Sequence, residues 1–427
     1  MNELPGKRSI SVLNRNKKNN LGWAMPYPFV QTNEGEGCYF KDLDGNVFLD
    51  FSSQIASNPL GYNHPALLEV LKEYSRSSPV KFAGQDFLPK EHQELLDELI
   101  TITPDGLDSA FLINSGAEAV ENAIKIAFYN KPSSKYGLSF ESAFHGRTLG
   151  ALSCTNSKYV HKKHFPSFPF KRLPFDEGAG EKLNRILLSE SPAEDIAFVI
   201  VEPVQGEGGY WPAPRELLSS IREITEENEI FLIIDEVQTG MGRSGKWWCH
   251  GHYGVKPDIM AAAKALQVGA TVANSELRPD PGAISSTWGG GSIIDLALGK
   301  ETINIIKKDN LLDNVTRMGL HLRRRLNDIN ERNGDLSDVR GFGLLTAFSL
   351  KSKEVRDNFL IETMKNGLVL LGCGVDGVRM IPPYIVNGEE IDQACDIVER
   401  SLSTVSKKSF RHEGSICDFI GCGTLST

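Results

Sequence analysis

Apolar and polar positions follow two rhythms along this chain. Near its start, residues 38–43 and 47–51 are two apolar-rich runs separated by Asp44-Gly45-Asn46. Asp-Gly and Gly-Asn pairs accept the left-handed backbone of a tight turn, so this stretch predicts a β-hairpin. From His64 onward the pattern changes. Amphipathic stretches with helical spacing, such as 65–74 and 90–100, alternate with short apolar runs at 110–113, 137–140, 196–201, 231–234 and 259–262. Helices alternating with short buried strands predict an α/β protein built on a mostly parallel, doubly wound sheet.

Past Gly290 the pattern predicts a long helical region over 293–333, then 339–350 and a βα-like ending through 402. The expected organisation is an N-terminal segment (1–60) that joins a smaller α+β domain, a large domain (61–305), the rest of the small domain (306–402), and a tail (403–427). The tail is rich in Ser, Gly and Lys and lacks apolar periodicity, so it is expected to be flexible.

Composition narrows the function. The chain has 427 residues and a formal charge of −9. It has no stripe of Lys and Arg, which argues against nucleic acid as a partner. Arg15, Lys17 and Lys18 read as part of a solvated tail. The first 18 residues lack a signal-like apolar core, and no stretch is long enough to span a membrane. The seven cysteines form no Cys-x-x-Cys pair. Reduced thiols, a soluble cytoplasmic protein and no metal site are therefore expected.

Candidate chemistry gathers at strand ends. The run 231–234 leads into Asp235-Glu236-Val237-Gln238-Thr239-Gly240, placing a carboxylate where a doubly wound sheet presents ligands. An Asp there is equally a turn cap. The next strand, 259–262, delivers Lys264 to the same end, flanked by Ala263 and Ala265. A lysine amine can form an imine with an aldehyde cofactor, and a carboxylate can keep a pyridine nitrogen protonated. Asn114-Ser115-Gly116-Ala117 joins a strand to a helix whose N-terminus suits a phosphate. Phe144 could stack on a ring and Arg147 grip a carboxylate.

Together these motifs resemble the class III, or ω-amino-acid, branch of the fold type I pyridoxal-phosphate aminotransferases, over roughly residues 22–402. The resemblance is carried by Ser53-Gln54-Ile55-Ala56-Ser57, Gly61-Tyr62-Asn63-His64-Pro65, residues 143–148, Val201-Glu202-Pro203-Val204-Gln205, residues 235–240, and Leu371-Gly372-Cys373-Gly374 with Arg379. Within the family they are most similar to 4-aminobutyrate aminotransferases. Lys264-Ala265-Leu266-Gln267-Val268-Gly269 and Ser286-Thr287-Trp288-Gly289-Gly290 also resemble lysine 6-aminotransferases.

The resemblance implies the cofactor pyridoxal 5'-phosphate. Lys264 would carry it as a Schiff base and move the proton, Asp235 would bond the pyridine nitrogen, and Gln238 the phenolic oxygen. Phe144 would cover one ring face, and Ser115, Gly116 and Ala117 would hold the phosphate. Thr287 would serve the neighbouring subunit's phosphate, implying a homodimer with shared active sites. Arg147 would bind the distal carboxylate and Arg379 the α-carboxylate of glutamate or 2-oxoglutarate. Glu202 would neutralise Arg379 when the donor has no α-carboxylate, and Ile55 would line the pocket. His64 and His145 read as structural, and no iron–sulfur cluster is expected.

The implied reaction is transfer of an ω-amine to 2-oxoglutarate, giving a semialdehyde and glutamate, with 4-aminobutyrate as first donor. Lysine through its ε-amine and ornithine-type donors are alternatives. A racemase or decarboxylating aminotransferase on the same fold, and a non-enzymatic binding scaffold, are the readings from other classes.

Overall fold

A computed structural model describes residues 3–22, 27–76, 87–284, 290–406, 410 and 412–420. The chain divides into two compact units, one of residues 65–316 and 340–345, the other of residues 1–64, 317–339 and 346–427.

The first unit is built on seven strands, β1 (Ser109–Ile113), β2 (Tyr136–Phe140), β3 (Phe170–Leu173), β4 (Ile196–Val201), β5 (Phe231–Asp235), β6 (Ile259–Ala262) and β7 (Gly269–Ala273). Their order across the sheet is β1-β7-β6-β5-β4-β2-β3. Only β7 runs antiparallel to its neighbours, while β6, β5, β4, β2 and β3 pair in parallel. The strands expected from sequence start and stop within a residue of those found. β3 and β7 were not anticipated; in β7, Gly-Ala-Thr-Val-Ala has too few large apolar residues to read as a strand.

Helices cover both faces, which is why β4 is buried along its whole length. On one face α1 (Gly116–Asn130) packs Ala119, Val120, Ala123 and Ala127 against Phe198, Ile200, Ile233 and Ile259. On the other, α2 (Ala179–Ser189) and α3 (Arg215–Glu227) bury Leu183, Ile186, Leu217 and Ile221 with Val199, Val201, Leu232 and Ile234. Residues 232 and 234 face one way and 231 and 233 the other, the alternation a strand imposes. The helical region expected over 293–333 is two helices, Ile293–Lys308 and Leu311–Asn333, because Asn310 turns left-handed at φ 51°.

In the other unit the hairpin forms as expected, with Tyr39 opposite Leu49 and Phe40 opposite Phe48. Gly45 sits at φ 86° in its turn. The segment read as a solvated tail is instead a helix, Lys7–Asn19, with Ser9 and Leu13 buried. Its N-terminal amides are capped from the hairpin turn, since Arg8 and Ser9 N–H both donate to the Asp44 carboxylate at 2.9 Å. Lys17 and Lys18 are exposed in its last turn, where the helix dipole favours positive charge.

At the far end, Ser403, Thr404 and Val405 continue the helix Gly388–Val405 beyond the expected end of the domain, and Val405 is buried. A short helix, Ser415–Ile420, follows, with Ile416 buried. Among the described residues, Cys38, Cys154, Cys249, Cys373 and Cys395 are free and buried. Cys417 is disulfide-bonded, which corrects the expectation of reduced thiols throughout. Among the described residues no helix is long and apolar enough to cross a membrane, and no cluster of His, Cys, Asp or Glu could hold a metal.

Candidate active site

β5 and β6 are neighbours in parallel, with Asp235 opposite Ala261. Their carboxyl ends therefore present Asp235 and, three residues past Ala261, Lys264 on the same edge of the sheet. Lys264 lies in the tight reversal between β6 and the antiparallel β7. Leu266 N–H donates to Ala263 O and Gln267 N–H to Lys264 O. The reversal forces left-handed backbone on two non-glycine residues, Lys264 (φ 52°) and Gln267 (φ 70°). Strain of this kind costs roughly 1–3 kcal/mol per residue and collects at functional sites.

The N-terminus of α1 arrives at the same place. A side chain on Gly116 would lie 2.7 Å from Val237 Cγ1 and 3.3 Å from the Ala263 side chain. Glycine there lets the helix end close against the residues following both strands. A side chain on Gly146 would meet Ala117 at 2.8 Å, which brings the loop after β2 onto the same helix end. Ser115 caps the helix, accepting from Glu118 N–H. The first helical bonds come from Glu118 and Ala119, so the Gly116 and Ala117 amides precede the helix's own hydrogen-bonding pattern.

Asp235 is buried. One of its oxygens accepts from Val237 N–H at 3.0 Å, and the other lies 2.8 Å from His145 Nδ1. His145, expected to be structural, is the side chain that holds Asp235. Its place beside Phe144, in a loop following a strand of the same sheet, was the available signal. Next to Asp235, Glu236 is also buried, accepting from both the backbone N–H and Nδ1 of His250.

Glu202, just past β4, joins two loops. Its oxygens accept from Phe144 N–H and Gly206 N–H, each at 2.9 Å. Burial pushes its carboxyl up to about 7, with the charge of Asp235 adding and His145 and the two N–H groups opposing. Phe144 is half-buried, with the exposed Arg147 guanidinium 5.6 Å from its ring centre. Gln238 accepts a hydrogen bond from Tyr210, a residue the sequence reading did not single out.

Lys264, Asp235, Gln238, Ser115, Gly116, Ala117, Phe144, Arg147 and Glu202 thus all belong to the first unit. Arg379 and Ile55 belong to the other. Arg379 is buried in strand Gly377–Met380, opposite Leu371 and Ala347. Ile55 is 47% exposed in a left-handed turn, Ser53–Ala56. Thr287 lies outside the described residues.

A doubly wound sheet with an aspartate and a lysine on adjacent strand ends, beside a helix N-terminus, is the framework of a fold type I pyridoxal-phosphate enzyme. The chain belongs to the class III aminotransferases, whose family pattern it matches over residues 23–402. It is 34% identical to an acetylornithine aminotransferase of Caldanaerobacter subterraneus over 391 residues, 89% of this chain and 96% of that protein. It is 33% identical to the mitochondrial 4-aminobutyrate aminotransferase of Homo sapiens, over 90% of this chain and 86% of that one. Among solved structures it resembles a lysine aminotransferase from M. tuberculosis in the internal aldimine form. That match has a TM-score of 0.87 at 29% identity, covering 93% of this chain and 100% of the other.

Class III aminotransferases use pyridoxal phosphate, and the residues here fit it. The close approach at Gly116 and the two leading amides of α1 suit a phosphate, and Asp235 and Lys264 supply the carboxylate and amine.

Proposed function

We propose that this aminotransferase moves the terminal amine of an ω-amino acid, 4-aminobutyrate first, to 2-oxoglutarate. The observation that supports the chemistry is the convergence of Lys264, Asp235 and the Gly116 end of α1. The cofactor, when bound, supplies an aldehyde for the amine and a ring that takes up electrons.

Each residue then has a task. Lys264 would hold the cofactor through its amine, and the same amine would carry a proton to and from the substrate carbon. Asp235, oriented by His145, would hold the ring nitrogen in its protonated form. The Gly116 and Ala117 amides bind the phosphate with the Ser115 hydroxyl. Gln238 donates to the phenolic oxygen, and Phe144 excludes water from one ring face. Roles for Arg147, Arg379 and Ile55 in holding substrate, and for Thr287 in a homodimer that shares its sites, rest on the family resemblance.

The donor rests on the relatives. 4-Aminobutyrate carries its amine on the carbon farthest from its carboxylate, and a protein 33% identical over most of this chain is named for it. The lysine aminotransferase structure favours a second donor, lysine.

The test is absorbance of the purified, cofactor-loaded protein mixed with single amino acids, with Lys264→Ala as control. Loss of the lysine-bound cofactor band on adding 4-aminobutyrate, and its return with 2-oxoglutarate, is the expected result. Conversion by lysine alone moves the assignment to that donor. A wild type with no such band overturns the enzyme reading.

A further inference from the structure

A primary amide has two orientations of nearly equal shape, one presenting an acceptor and the other a pair of donors. Gln238 must present the donors if it is to bond the cofactor's phenolic oxygen. Its surroundings favour that orientation. Tyr210 donates its hydroxyl hydrogen to Gln238 Oε1. A side chain on Gly206 would lie 3.0 Å from Oε1 and 3.3 Å from Cδ, so the amide lies flat against that glycine. With Oε1 engaged by a donor, the two N–H bonds of Nε2 point away from Tyr210. Nε2 has no hydrogen-bond partner among the described residues.

Tyr210 is itself held firmly. It is fully buried and takes a left-handed backbone at φ 59°. Its N–H donates to Gln205 O at 2.7 Å, closing the loop that begins at Glu202. The preceding carbonyl, Gly209 O, accepts from Arg340 Nε at 3.0 Å, and the Arg340 guanidinium stacks 3.9 Å from the ring centre of Trp211. The loop is thus fixed immediately before and after Tyr210. A buried tyrosine in strained backbone, clamped on both sides, places one hydroxyl at one amide oxygen.

We propose that Tyr210 is a positioning residue that orients the Gln238 amide so its N–H side faces the phenolic oxygen. This rests on the reading of Gln238 given above. If Gln238 lost that donor, its Oε1 would be without its bond from Tyr210, and turning the amide would set an oxygen against the phenolic oxygen.

The readout is the pH midpoint at which the bound cofactor's absorbance changes, measured on the loaded enzyme. A donor on the phenolic oxygen favours the form carrying fewer protons, so weakening it raises the midpoint. Tyr210→Phe removes one oxygen and keeps the ring. It is expected to raise the midpoint by about one pH unit, the scale of one hydrogen bond. Gln238→Ala should raise it at least as far, and the double variant no further than Gln238→Ala alone. Cofactor stoichiometry and urea midpoints near wild type confirm that each variant is folded.

If Gln238→Ala raises the midpoint and Tyr210→Phe leaves it unchanged, or if the two shifts add, the role of Tyr210 is overturned while that of Gln238 stands. If Gln238→Ala has no effect, both fall. Attachment at Lys264 is unaffected by either result, because the wild-type absorbance band tests it separately.

Discussion

Asp50 and Asp235 are buried aspartates that each end a strand, and their fates differ. Asp50 closes the strand Val47–Asp50, and its carboxylate turns back onto the next residues. One oxygen accepts from Ser52 N–H, Ser52 Oγ and Ser53 N–H, and the other from the Tyr62 hydroxyl at 2.8 Å. Asp235 closes β5, but only one local N–H, that of Val237, reaches it, and its second partner is a histidine ninety residues away. Asp50 spends its acceptors on its own turn. Asp235 keeps capacity for a further donor, since a carboxylate offers about four lone-pair sites. The same pattern, an apolar strand ending in aspartate, therefore gives a carboxylate saturated by its own turn in one unit and one with spare acceptor capacity in the other, the capacity the proposed function uses.

The largest expected effect separates the two directly. Asp235→Asn should lower the turnover rate by about 10²–10³, the scale of losing one well-placed electrostatic partner, and leave the urea midpoint nearly unchanged. Asp50→Ala should do the reverse. It strands the buried N–H groups of Ser52 and Ser53 and should cost about 3 kcal/mol of stability by urea unfolding, with turnover per folded molecule near wild type. Loss of turnover in Asp50→Ala at full cofactor occupancy would erase the distinction.

Glu202 sharpens the comparison through pH. Its carboxyl is raised from 4.5 to about 7, chiefly by burial. Between those values the folded protein binds more protons there than the unfolded chain. Stability from this group is therefore present below about pH 4.5 and is lost as pH rises through about 7. The full effect is about 3 kcal/mol. Glu202→Gln removes the titration but can accept only one of the two N–H bonds from Phe144 and Gly206, so it should be less stable throughout. Its deficit relative to wild type should shrink between pH 5 and pH 8 in urea titrations. A constant deficit would show that Glu202 is charged at both pH values.

How legible all this was depends on what each residue's environment owes to near neighbours. The strand ends at Asp235 and Ala262, and the helix start after Ser115, depend on local apolar runs and small residues, and they read correctly from the chain. Strand β7 did not, because its small residues carry little strand preference and gain their place from pairing with β1 and β6. The helix at 7–19 was missed because its cap, Asp44, comes from a distant turn. His145 and Tyr210 were passed over because their importance lies in the partners Asp235 and Gln238, which no spacing along the chain reveals.

The smallest effect concerns the turn that Asp50 supports. Ser53, Gln54, Ile55 and Ala56 are four consecutive residues at positive φ, from 44° to 66°. Each L-residue there carries a penalty of roughly 1–2 kcal/mol. Gln54, at φ 48° and ψ 50°, is exposed, and its side-chain amide donates to Gln31 Oε1 at 3.2 Å on the surface. Gln54→Gly removes the steric penalty but gives the unfolded chain more freedom, which offsets roughly 0.5–1 kcal/mol of the gain. The net expectation is a stabilisation of about 0.5–1 kcal/mol by urea unfolding. In the Asp50→Ala background the gain should be smaller, because without the clamp Gln54 can leave the left-handed geometry and glycine has less strain to remove. Equal gains in both backgrounds would mean that the turn keeps its left-handed form without Asp50, and the carboxylate would lose its place as the support of that turn.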